Sequence, residues 1–96
     1  MREIDELLPD LAKRLSRAEI IARLRYEAEA AVSSANRMRR RGVDESASEA
    51  RRGLAPRIDR ILNFLIQDSL LSVPDEADRA LCEKVRDRLQ ARGQWE

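Results

Sequence analysis

The chain predicts an all-α fold: a small helical bundle of three long helices with a short or Pro-kinked helix ahead of them. Three observations carry this reading. Ile21, Leu24, Ala28, Ala31, Ala35 and Met38 alternate at spacings of three and four, which holds one helical seam against a partner helix. The hydrophobic 43% of the chain is mostly Leu, Ile, Val and Ala, with only Tyr26, Phe64 and Trp95 as aromatics, a balance that suits helices over sheets. Helix-starting and helix-stopping residues divide the 96 residues into four segments, about 2–15, 16–41, 46–71 and 73–92, within one domain spanning 1–96.

The first segment places Ile4, Leu7, Leu8, Leu11 and Leu15 on one face. Pro9 interrupts it, so the segment either kinks there or begins its main helix there, with proline in the first turn. Asp10 stands four residues before Arg14, a favourable helical pair. The second segment opens with Ser16-Arg17-Ala18-Glu19, which fits a capping box, and closes at Gly42. A short turn then leads into the third segment, so the second and third form an antiparallel hairpin that is the spine of the bundle. Ser46 and Glu49 offer another capping box. Gly53 and Pro56 predict a kink near 53–56, followed by a firm helix to about Leu71. In the fourth segment Ser72 caps, Pro74 occupies the first turn, and Asp75 and Glu76 complement the positive helix end. Ala77, Leu81, Val85 and Leu89 form its stripe, and Gly93 ends it with Trp95 on a short tail.

Charge is unevenly laid out. The net charge is +1, but residues 37–60 hold eight basic and four acidic side chains, a local +4. Arg37, Arg39, Arg40 and Arg41 close the second segment, and the hairpin turn brings Arg51 and Arg52 to the same end. Such a cluster suits an acidic protein surface or a phosphate backbone. It also offsets the negative end of a helix dipole, with Asp44, Glu45 and Glu49 nearby. A helix-turn-helix reading of Met38–Ala55 fails, because residues 44–53 supply only Ala47 and Ala50 for a buried face. Three scattered aromatics make no stacking platform for single strands.

Catalysis has little to work with. Histidine is absent, which removes the commonest general base and metal ligand, and the single Cys82 has no histidine to activate it. Gly42, Gly53 and Gly93 are isolated, so no phosphate-cradling loop is present. Asp75, Glu76 and Asp78 open a helix and read as capping and dipole residues. The sequence therefore predicts no catalytic, cofactor-binding or metal site.

The run Ile61–Leu71 is apolar nearly all round its helix and must be covered nearly all round. A homodimer supplies that cover, with Phe64, Leu71, Leu62 and Ile66 at the interface. Trp95 serves either as a hydrophobic cap folded back on the helix end or as an anchor for a partner. The expected partner-binding set is Arg37, Arg40, Arg41, Arg51, Arg52 and Trp95. The expected function is a cytoplasmic, non-enzymatic interaction module of adaptor, inhibitor, chaperone or antitoxin type, acting as a homodimer on another protein, with an acidic protein among the candidates. A nucleic-acid-associated protein using the arginine end is the competing reading, and a small all-α enzyme the third. Charged residues throughout the first twenty positions leave no signal peptide, and no run is apolar enough to cross a membrane.

Overall fold

The computed structural model describes residues 4–42 and 45–96, the side chains of 45–51 excepted. The Ser46–Glu49 capping box and Arg51 therefore fall outside the described residues. Four α-helices and a 3-10 turn follow in order: α1 (Ile4–Arg14), α2 (Arg17–Arg40), α3 (Glu45–Gln67), the turn Leu70–Ser72, and α4 (Glu76–Ala91).

The N-terminal segment is a separate helix. α1 begins upstream of Pro9 and passes through it, burying Ile4, Leu7, Leu8, Leu11 and Ala12. A proline here leaves the Asp5 carbonyl without its helical donor, a loss the buried leucine face outweighs. The Asp10–Arg14 pair forms at 3.0 Å. Carbonyls at the C-terminal end of α1 are claimed by arginines at the end of the chain's last helix: Arg92, the residue that caps α4, donates to Ala12 O at 2.7 Å and to Leu15 O, just past α1, at 2.9 Å. Arg88 donates to Pro9 O at 2.9 Å. Cations at a helix C-terminus satisfy orphan carbonyls and offset the dipole together.

α2 opens as the sequence predicts. The Glu19 amide donates to Ser16 Oγ at 3.2 Å, and the Ser16 amide to Glu19 Oε1 at 3.0 Å. At the far end Gly42 adopts φ +72°, a conformation glycine takes without strain. Of the predicted seam, Leu24, Ala31 and Ala35 are fully buried, whereas Ile21, Ala28 and Met38 are half-buried; Ile20 is buried in addition. The base of α2 is covered by the body of the molecule, which widens the buried stripe there to include Ile20. Among the described residues its outer half packs on α3, and burial there is confined to the narrow alanine seam.

α3 runs unbroken through Gly53 and Pro56, against the predicted interruption. Pro56 is solvent-exposed, so water can serve the Arg52 carbonyl that proline leaves unbonded. The helix also ends earlier than predicted, at Gln67, where Asp68 turns to φ +51°, a left-handed conformation that aspartate tolerates better than most residues. Leu70 and Leu71 therefore belong to the following 3-10 turn, capped by Ser69. Ser72 does not cap α4: its hydroxyl donates to Arg60 O at 3.2 Å. Asp75 takes that place and accepts from the Asp78 amide at 3.1 Å, which leaves Pro74 outside the helix. Along α4, Leu81, Val85 and Leu89 are buried but Ala77 is exposed. Gly93 (φ +69°) ends the helix, with the Gly93 amide bonded to Gln90 O at 3.1 Å and the Gln94 amide to Leu89 O at 2.8 Å.

The main core gathers α1, α4, the first half of α2 and the second half of α3. Its outermost members on the hairpin are Ala28 and Leu54, packed at its margin. Beyond them α2 and α3 continue as a two-helix arm whose seam is Ala31 and Ala35. The molecule is accordingly elongated, 46 Å by 25 Å by 19 Å. Where the arm leaves the body, Arg57 of α3 bridges Asp5 of α1 at 2.7 Å and the buried Asp78 of α4 at 2.9 Å. No helix among the described residues is long and apolar enough to cross a membrane.

Candidate interaction surface

The arm places its arginines at the far tip. Arg37, Arg39, Arg40 and Arg41 are all exposed in the last turn of α2 and at its cap. Arg52 reaches across from α3 and donates to Asn36 Oδ1 at 2.8 Å, so the two helices deliver their cations to one end. None of these five guanidiniums meets a carboxylate among the described residues. Their charge faces the negative end of the α2 dipole, which accounts for part of their stabilising role. Among the described residues no anionic group takes up their remaining donors, which suit one.

Trp95 does not belong with them. It lies at the opposite end of α2, about 35 Å from Arg41 at the usual helical rise, and is 8% exposed. The Arg17 guanidinium stands 4.4 Å from its ring centroid, and the Phe64 ring 5.7 Å away at 41°. The tail is folded back as a cap on the core, and the indole is covered by the chain's own residues. The predicted six-residue set therefore divides into a basic tip and a structural tryptophan.

The predicted dimer face divides as well. Phe64 and Leu62 are buried within the chain, Phe64 completely, between the Trp95 ring and the Arg86 guanidinium at 5.7 Å. The cover that α3 requires is thus supplied by α1, α2, α4 and the tail, which removes the reason for placing a second subunit on Phe64. Leu71 and Ile66 remain outward, at 92% and 45% exposure. Leu71 projects because the chain has already left the helix and turned.

Between the helices of the arm lies a shallow groove lined by Ala28, Glu29, Val32, Ser33, Ala55 and Asp59. Its floor is apolar and its two carboxylates stand at the rim, both exposed. Val32 falls outside the three-and-four seam of α2, and an apolar residue displaced from a seam is the signal that marks this groove in the sequence.

The remaining polar groups serve the fold. Arg17 donates to Leu65 O, Ile66 O and Trp95 O, at 2.5, 3.0 and 3.0 Å, closing the C-terminus of α3. Arg79 donates to Val73 O at 2.7 Å. Burial pushes the Cys82 thiol up to about 11, with the Asp78 and Glu83 charges acting the same way, so it stays protonated at neutral pH. Asp75 is committed to its cap and Asp78 to Arg57. Among the described residues no group of three or more His, Cys, Asp or Glu side chains is placed to hold a metal ion. No protein-family model matches the chain, and no curated protein or solved structure is significantly similar to it.

Proposed function

We propose that this chain is a non-enzymatic interaction module of the adaptor, inhibitor, chaperone or antitoxin kind, acting as a homodimer and presenting the tip of its α2–α3 arm to an acidic surface on another protein. The observation that carries the reading is the set of exposed guanidiniums at Arg37, Arg39, Arg40 and Arg41, without carboxylate partners among the described residues and held away from the body. Arginine suits this task because its planar fork bonds carboxylates bidentately and is weakly hydrated for a cation. A rigid helical arm also presents these groups with little ordering cost on binding.

The test is affinity capture from the native host with the wild-type chain and with Arg37→Glu, Arg40→Glu, Arg41→Glu combined. The wild type should retain a protein partner that the triple variant loses, while circular dichroism shows the helices intact. Acids at a helix C-terminus should still lower stability by about 1 kcal/mol in total. A folded variant with undiminished capture would overturn the basic tip as the binding surface. Loss of affinity for nucleic acid alone, with a steep salt dependence indifferent to sequence, would replace the protein partner with a phosphate backbone.

A further inference from the structure

The groove face of the arm carries its charges in a particular order. On α2, Glu29 and Arg40 are eleven residues apart, three full turns, so they share a face about 16 Å apart along the axis. On α3, Asp59 and Arg52 are seven residues apart, two turns, and share a face about 10 Å apart. In both helices the acid lies toward the body and the arginine toward the tip. Val32, at 38% exposure, and half-buried Ala55 lie between the two charge zones. Among the described residues Glu29 and Asp59 have no ion pair; Arg25, one turn before Glu29, forms no bond to it. Arg40 has none either among those residues, and Arg52 bonds there only the neutral Asn36 amide, with no carboxylate to offset its charge.

A face that is acidic at one end, basic at the other and apolar at the centre is complementary to itself after a half-turn about an axis through that centre. Accordingly, we infer that the groove of the α2–α3 arm is the docking face for a second copy of this chain, the two arms lying antiparallel so that Glu29 and Asp59 of each copy meet the basic tip of the other around Arg40 and Arg52. This rests on the homodimer reading above and moves its interface away from Phe64. The axis falls near Val32 and Ala55, where each copy brings its exposed apolar side chains against the other's. The alanine seam of each arm then becomes one layer of a four-helix bundle, giving the thin arm the cover it lacks alone. Arg41, about 120° around α2 from Glu29, stays free for a different partner.

Charge exchange tests the geometry. One variant carries Glu29→Arg and Asp59→Arg, a second carries Arg40→Glu and Arg52→Glu, and sedimentation equilibrium reads the mass of each. The wild type should dimerise at micromolar concentration and loosen as salt rises. Each variant alone should be monomeric there, because its groove and tip now carry like charges. Mixed in equal amounts the two should regain the dimer mass, since each groove then meets a tip of opposite sign. Arg40→Glu alone serves as the milder partner should the loss of the Arg52–Asn36 bond reduce helicity. A wild type monomeric at millimolar concentration would overturn this inference and the homodimer reading together. Variants that stay dimeric would overturn the groove while leaving a dimer through another face. Variants that dissociate but do not reassociate on mixing would also overturn the antiparallel pairing.

Discussion

Arg17 and Trp95 are joined twice: the guanidinium lies 4.4 Å from the indole centroid, and its Nη1 donates to the Trp95 carbonyl at 3.0 Å. The same side chain closes the end of α3 through the Leu65 and Ile66 carbonyls. One arginine at the start of α2 thus fastens the chain's C-terminal tail and the terminus of a neighbouring helix. Trp95→Ala should lower unfolding stability by about 3 kcal/mol, the usual loss for a buried large aromatic. Arg17→Lys keeps the charge but loses the flat fork that reaches three carbonyls and stacks on the ring, and should cost about 1–2 kcal/mol. Urea titration measures both; a Trp95→Ala protein as stable as the wild type would show the tail to be dispensable.

The arm admits two opposite substitutions. Ala31 is fully buried in the seam, so Ala31→Leu should destabilise by about 1–3 kcal/mol through overpacking. Gly53 lies within α3, is exposed, and has nothing within 4 Å of the position a Cβ would take. Gly53→Ala should therefore stabilise the arm by about 0.5–1 kcal/mol, by restricting the unfolded chain and improving helix propensity. Thermal unfolding should move the two variants in opposite directions. Equal melting temperatures for Ala31→Leu and the wild type would mean that the α2–α3 seam is looser than its burial implies.

What the sequence reveals about this fold is whatever one stretch of chain decides by itself. The Ser16–Glu19 capping box, the glycine stops at 42 and 93, and the Ala31–Ala35 seam all depend on neighbours within a few residues. The misses are tertiary. Whether Pro9 and Pro56 break a helix depends on burial elsewhere along that helix, and both are tolerated. Ser72 and Asp75 are both good caps by composition; the choice falls to Asp75 because Ser72 bonds the Arg60 carbonyl on another element. Arg17, Arg88 and Arg92 bond carbonyls 48 to 80 residues away, and periodicity carries no trace of that. The basic tip was legible because it is a local run at a hairpin end. Its separation from Trp95 was not, because the tail's return path is set by the core.

The Asp5–Arg57 pair gives the fold a pH-dependent fastening. The Arg57 hydrogen bond, with its charge, holds the Asp5 carboxyl below its ordinary value despite some opposing desolvation. A carboxylate whose pKa is lowered on folding stabilises the folded state above its unfolded value, and that contribution is lost as pH falls through the folded value. Asp5 is largely exposed, so water screens the pair and it contributes only about 0.5–1 kcal/mol at neutral pH. Asp5→Asn should remove that amount at pH 7 and flatten the acid limb of a stability-versus-pH curve. Identical acid limbs for the variant and the wild type would show that the pair does not hold α1 to α3 in solution.

Phe64 and Leu71 separate folding from association. Phe64 of α3 is fully buried between the Trp95 ring of the tail and Arg86 of α4, so Phe64→Ser leaves a cavity in the core and should cost about 3–5 kcal/mol. Leu71 is 92% exposed in the 3-10 turn and gives up almost no contact on truncation, so Leu71→Ser should change stability by less than about 0.5 kcal/mol. Were α3 the dimer face, both changes would weaken the assembly while leaving the folded chain stable. With Phe64 in the core, its variant should lose helicity and cooperative unfolding whatever the protein concentration, whereas Leu71→Ser should keep the wild-type mass in sedimentation. A Phe64→Ser protein that remains fully helical and merely dissociates would return the interface to α3 and displace it from the groove of the arm.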